Sequence, residues 1–177
     1  MSHEIKKEKA IISACLCNVN CRYDGKVVKS DLYKKLSQYF DLVLVCPEVM
    51  GGMKTPRLPS EIVCSDEDII YNPNTPFLEA FANFKILNNK GKDNTTFFIS
   101  GCKMASHLAE INNCKYAFLK EKSPSCGVKY RYDGTFSKKL VNHGGLLSYC
   151  LNKNIKIISS EDIDAFLEEY KKEVENG

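Results

Sequence analysis

Nine cysteines stand among 177 residues, and the places of three say more than the count. Cys15, Cys46 and Cys126 each lie where an apolar run gives way to a loop. The second and third of these loops, Cys46-Pro47-Glu48-Val49-Met50-Gly51-Gly52 and Ser123-Pro124-Ser125-Cys126-Gly127, also carry proline, glycine, serine and carboxylate, the mixture from which sites are built. Where thiols stay reduced, a large odd number of cysteines reads as metal, cluster or catalytic thiols plus buried bystanders, not as disulfides. Three thiolates at one mouth can hold zinc or an iron–sulfur cluster, since both take soft ligands. Spacing does not choose between them: the only close set, Cys15, Cys17 and Cys21, matches neither zinc-ribbon nor ferredoxin spacing. Cys17 and Cys21 are open to either a ligand or a neighbour's role. Cys102, Cys114 and Cys150 sit at helix-face or element-end positions and read as packing thiols, and Cys64 has no context that suggests a role. Metal-free catalysis by Cys126 would need a partner base, and His3, His107 and His143 are not placed to be one.

The elements that would have to position these loops alternate. A strand is expected over Lys9–Cys15, then a helix opened by Ser30 with Leu32, Leu36 and Phe40 on one face. A second strand follows over Asp41–Cys46, stopped by Pro47 and the paired glycines. Residues 53–94 are chopped by Pro56, Pro59, Pro73 and Pro76 into an irregular insertion, with a helix expected over Thr75–Phe84 and an outer strand over Phe84–Leu87. A long helix is expected from Asn94 or Thr95 to about Asn113, because Phe98, Cys102, Ala105 and Ala109 share a face. A third strand over Lys115–Lys120, a helix around Leu140–Leu151, a strand over Ile155–Ser159 and a closing helix with Ile163, Phe166, Leu167, Tyr170 and Val174 in a stripe complete the unit. This order predicts one α/β domain over 1–177 with a mainly parallel sheet. In such a sheet the loops at the strands' carboxyl ends meet at one crevice, which would bring Cys15, Cys46 and Cys126 together. Arg22-Tyr23-Asp24-Gly25 recurs as Arg131-Tyr132-Asp133-Gly134; with no further period, two independent Asp-Gly turns explain it better than a duplicated half-site.

Composition excludes other classes. The longest apolar runs, such as Leu42–Cys46, fall far short of the roughly 20 residues of a membrane span. The charged amino-terminal stretch lacks the apolar core and small-residue cleavage site of a leader, so a cytoplasmic protein is expected. The net charge is +3, with lysines spread along the chain and no aromatic-plus-basic stripe, which argues against nucleic acid as a partner. The closing helix leaves room for a homo-oligomer, although covering the sheet is its simpler use.

The blocks Ser13-Ala14-Cys15-Leu16 with Cys21-Arg22-Tyr23-Asp24-Gly25, Cys46-Pro47-Glu48-Val49 with Gly51-Gly52 and Thr55-Pro56-Arg57, and Lys122-Ser123-Pro124-Ser125-Cys126-Gly127 resemble the signature blocks of the thiouracil desulfidase family, and occur in the same order. The Gly91-Lys92-Asp93 helix entry and Gly134-Thr135-Phe136 extend the resemblance over roughly residues 9–160. It implies a Rossmann-like three-layer fold and a 4Fe-4S cluster held by Cys15, Cys46 and Cys126 with one iron left open. A small-molecule thiolated pyrimidine would give its sulfur to that iron and take oxygen from water without net redox chemistry. A fourth ligand from Cys17 or Cys21 would close that iron. Glu48, two residues past a ligand, is the candidate base for water. Ser123 and Ser125 could bond substrate or a cluster sulfide, and Arg22, Asp24 and Arg57 are candidates for substrate binding. The alternatives are zinc in place of the cluster, and a metal- or cluster-binding module for sulfur delivery or sensing without hydrolytic activity.

Overall fold

Strand β1 (Glu8–Ser13) is the axis of the computed structural model, which describes residues 7–64 and 83–176. It pairs in parallel with β2 (Phe40–Val45) on one side and with β5 (Tyr116–Leu119) on the other, so that Ile11 faces Val43 and Ala117. Strand β8 (Lys156–Ser159) joins β5, giving a four-stranded parallel sheet in the order β2-β1-β5-β8. Successive side chains alternate between faces, and here both faces are apolar. Ile11, Val45, Ala117 and Leu119 pack with α3 (Thr95–Ile111) and α4 (Leu146–Cys150). Ala10, Ile12, Phe118 and Ile158 pack with α1 (Leu32–Leu36) and α5 (Ile163–Asn176). The second face is aromatic at one end, with the ring of Phe40 centred 5.1 Å from Tyr116, 5.2 Å from Phe118 and 4.8 Å from Tyr170.

The sheet chain order places the crossover reversal at β1: the chain goes from β1 outward to β2, then returns to add β5 on β1's free edge. Loops leaving the carboxyl ends of adjacent strands diverge at such a reversal and leave a crevice.

Four details differ from the sequence expectation. Cys15 is not in the strand but on a 3-10 turn, Ala14–Cys17. Phe40 is the first residue of β2 instead of the last of a helix, and Ser30 acts locally, its hydroxyl accepting the Leu32 N–H at 3.1 Å. The Cys46–Gly52 loop contains a one-turn helix, α2 (Pro47–Met50). Proline at a first helical position gives up an N–H that has no partner there anyway, so it starts this turn instead of preventing one. The turn survives because it packs backbone to backbone on α3: a Cβ on Gly101 would lie 1.6 Å from the Pro47 carbonyl oxygen, and one on Gly51 1.9 Å from that of Phe97. Finally, the helix expected over Leu140–Leu151 begins as strand β7 (Leu140–Val141), paired with β6 (Arg131–Tyr132), and only Leu146–Cys150 is helical.

Within the irregular 53–94 stretch, β3 (Ser60–Cys64) and β4 (Phe84–Asn88) form an antiparallel hairpin, the second strand as expected. The helix expected over 75–84 falls outside the described residues apart from Asn83 and Phe84, and Phe84 begins β4. No helix among the described residues is long and apolar enough to cross a membrane.

Candidate functional site

At the carboxyl ends of β1, β2 and β5 lies a cavity of about 470 Å³, within the range of roughly 300–1,000 Å³ that small-molecule sites occupy. Cys15, Cys21, Cys46 and Cys126 all line it, and among the described residues no histidine does. Strand ends therefore bring together the three cysteines expected to converge, with Cys21 as a fourth. Cys17 is left out of the lining; it packs against the aromatic face of the sheet. Cys102 and Cys114 are buried in the other core, with Cys64 and Cys150 packed against it.

Three of these thiols are in contact. Cys21 is in hydrogen-bond contact with both Cys15 and Cys46, and the Cys46 Sγ also points its bond at the Cys21 carbonyl, 3.8 Å away. The contact with Cys21 pulls the Cys15 thiol below its ordinary value against the effect of burial, helped by the charges of Lys120 and Arg22. Cys46 is brought down to about 7 by the same neighbour and by the Val49 N–H, again against burial. Cys21 itself is pushed far up by those two contacts. Burial pushes Cys126 up, although the hydroxyls of Ser13 and Ser125 work the other way. Among the described residues, no three His, Cys, Asp or Glu side chains are gathered to hold one metal ion. Iron–sulfur clusters are held by cysteine thiolates, and the cavity lining supplies them.

Against this thiol face runs a chain of polar groups. Arg57 donates from Nε to Glu48 Oε2 at 2.7 Å and from its NH2 group to the Cys21 carbonyl at 2.9 Å. Ser125 Oγ donates to Glu48 Oε1 at 3.0 Å. With that proton committed, the Ser123 hydroxyl, 2.9 Å away, donates to Ser125. Ser123 Oγ also accepts the N–H groups of Ser125 at 3.2 Å and Cys126 at 3.1 Å, so it shapes the turn that carries Cys126. The side chains of Arg57 and Glu48 are only 8% and 14% exposed, and charge-assisted bonds at such depth are strong and geometrically exact in direction. Arg22 lines the cavity with Asp24 behind it, a two-bond pair at 3.1 and 3.0 Å. That pairing holds the Asp24 carboxyl down at about 2.

Sequence reasoning passed over the residues that hold these loops. Glu121, the residue after a strand-end lysine, is buried, and its Oε1 accepts the N–H groups of Val128, Lys129 and Tyr130 at 3.0 Å each and that of Lys122 at 3.3 Å. Its Oε2 accepts the hydroxyl of Ser159 at the end of β8. Burial alone would push this carboxyl up; Ser159 and the surrounding N–H groups outweigh it and bring it below the ordinary carboxylate value. One side chain thus ties the Cys126 loop to the sheet. Ser13, buried at the end of β1, accepts the Lys120 N–H at 2.9 Å and bonds the Cys126 thiol. A carboxylate next to a serine-rich loop was the available signal for Glu121, but backbone partners leave no trace in side-chain spacing.

Known proteins are similar to this chain over most of its length. A family model described as 2-thiouracil desulfurase matches residues 10–162. The uncharacterised protein YbbK of Bacillus subtilis (strain 168) is 32% identical over 158 residues, covering 89% of this chain and 99% of the relative. Among solved structures, the 4Fe-4S-dependent thiouracil desulfidase TudS is similar with a TM-score of 0.74 and 28% identity, over 93% of this chain and 99% of that one.

Proposed function

The chain belongs to the 2-thiouracil desulfurase family, and from that premise we propose that it removes sulfur from thiolated pyrimidines such as 2-thiouracil. The reaction is a hydrolysis: the carbon–sulfur bond breaks, water supplies the oxygen that replaces it, sulfide leaves, and nothing is oxidised or reduced. The observation that carries this reading is the Arg57–Glu48–Ser125–Ser123 chain in the same cavity wall as Cys15, Cys46 and Cys126.

In this reading Cys15, Cys46 and Cys126 hold a 4Fe-4S cluster, and a cavity lined by several cysteine thiols fits that group. When bound, the cluster supplies a Lewis-acidic open iron that polarises the carbon–sulfur bond. The chain's own residues supply the proton chemistry. Glu48, fixed by Arg57 on Oε2, receives the proton from water on Oε1, and Ser125, held in turn by Ser123, donates to that oxygen and orients it. Arg57 acts by holding Glu48, and Asp24 by holding Arg22 at the cavity edge. The parallel sheet with its reversal at β1 is Rossmann-like in this reading, the substrate is a free base and not nucleic acid, and the compartment is a reducing cytoplasm.

Anaerobic reconstitution with iron and sulfide tests the proposal. Brown protein that converts 2-thiouracil to uracil with one sulfide released per turnover is the expected result; protein that takes up no iron and releases no sulfide overturns it. The contact of Cys21 with Cys15 and Cys46 favours one other reading, a closed four-thiol site for sulfur delivery or sensing. Cys21→Ser separates them: an open site keeps its iron content and sulfide release, whereas a closed one loses cluster.

A further inference from the structure

One segment of the cavity wall is built at a conformational cost that neither the fold nor the polar chain explains. Residues 133–139 link β6 to β7. Phe136 lies there with φ 57°, Lys138 with φ 64° and Gly134 with φ 90°. A bulky side chain in the left-handed region is a strained choice, and it persists only where surroundings enforce it. Here they do. Glu61 on β3, buried, accepts the N–H groups of Gly134 and Phe136, both at 3.0 Å on the same Oε2. Gly134 presses on the same strand, since a Cβ there would lie 2.6 Å from the Ile62 carbonyl oxygen. Asp133 closes the turn from within by accepting the Thr135 N–H at 3.0 Å and its hydroxyl at 2.6 Å.

What this effort holds in place is Phe136, which is half-buried and lines the cavity, yet packs into neither hydrophobic core. Among the described residues its ring stacks on no other ring. A half-buried phenyl side chain outside both cores, fixed by a buried carboxylate at a cavity wall, is suited to a planar partner that arrives from solution. Among the described residues, two other aromatic side chains line the cavity, and they differ. Tyr23 is 44% exposed and has the Arg22 guanidinium 5.9 Å from its ring centre, and Tyr132 belongs to the β6–β7 ladder.

We infer that Phe136 is the stacking platform for the pyrimidine ring, and that Glu61 is the positioning residue that presents it. The inference rests on the proposed desulfuration for the identity of the ring. It assigns recognition of the base to the 133–139 loop and leaves bond cleavage to the thiol face. Any thiolated six-membered heterocycle of similar outline should then be accepted on the same platform.

The test compares Phe136→Ala, Phe136→Leu, Phe136→Tyr and Phe136→Trp in the reconstituted protein, by calorimetric titration with uracil and by KM and kcat for 2-thiouracil. Loss of a stacking partner should raise the uracil Kd and the KM about tenfold in the Ala and Leu variants. The kcat should stay within about threefold, as for a contact made equally in ground and transition states. Tyr and Trp should restore wild-type values. Full rescue by Leu would mean that Phe136 only fills space, and a fall in kcat at unchanged KM would place it elsewhere in the reaction; either result overturns the inference. If the wild-type protein releases no sulfide, the desulfuration reading fails, and the uracil titration still judges Phe136 by itself.

Discussion

The two walls of the cavity are made in different ways. The inner wall is the carboxyl end of the parallel sheet: Cys15 just past β1, Cys46 and Glu48 just past β2, and Ser123, Ser125 and Cys126 past β5, all held by the core beneath them. The outer wall is two antiparallel hairpins outside that sheet, β3–β4 and β6–β7, locked to each other by buried charge instead of apolar packing alone. The repeated tetrapeptide shows the contrast within one sequence. Arg22, in the inner wall, is part-exposed and paired with its own Asp24. Arg131, in the outer wall, has no exposed surface and donates to the carbonyls of Tyr132 at 3.0 Å and Ile62 at 3.4 Å, so it joins the hairpins. The same tetrapeptide supplies a part-exposed local ion pair in one place and a structural bolt in the other. Sequence identity over a turn therefore says little about role, because the partner groups lie far away along the chain.

If the inner wall carries the chemistry, damage there should remove activity without removing the fold. Cys46→Ala or Cys126→Ala is expected to lower sulfide release by about three orders of magnitude or more, with loss of the brown chromophore and iron content, while circular dichroism stays native. Glu48→Gln should keep iron and lower kcat about a hundredfold or more, the effect of losing a positioned base; a fall below tenfold would move the base elsewhere.

Glu121 tests whether the inner wall also depends on buried charge. Its folded carboxyl lies below the ordinary value of 4.5, so its stabilisation is complete above that value and is lost as pH falls through the lower, folded one. Glu121→Gln should lose on the order of 2–3 kcal/mol at neutral pH, since bonds to a charged acceptor are weakened. Its denaturant midpoint should then change less on acidification than the wild type's. A parallel acid limb in both proteins would show that Glu121 does not carry this dependence.

The outer wall predicts the reverse balance for the two arginines. Arg131→Ala removes one side of a buried polar contact and should cost about 3 kcal/mol in chemical denaturation, whereas Arg22→Ala should cost less than about 1 kcal/mol, as part-exposed ion pairs do. Equal losses would break the comparison between the walls.

Much of this was legible in the chain before any coordinate. Apolar runs of strand length separated by helix-period segments predict the parallel sheet, because a strand buried on both faces cannot hide its pattern, and β1, β2, β5 and β8 lie within a residue or two of their expected places. The long helix α3 was equally plain from Phe98, Cys102, Ala105 and Ala109. What misled was local punctuation. Pro47 and Gly51-Gly52 read as an end to regular structure, yet the turn forms because Gly51 and Gly101 let two backbones touch, a contact between residues fifty apart in sequence. Leu140 and Val141, expected to open a helix, are strand because Arg131 and Tyr132 offer a ladder.

By itself, then, the amino-acid sequence determined which side chains could do chemistry and that three thiols would meet at one sheet edge, since both follow from residue type and from strand order. Only the tertiary structure decided how those side chains are used. Arg57 turned inward to Glu48, Cys21 came between Cys15 and Cys46, Glu121 gathered four N–H groups of a loop, and Glu61 held Phe136 at the cavity. The reason is physical: each of these depends on hydrogen bonds whose directions are set by how the loops fold back on the sheet, and those directions exist only once the strands are in register.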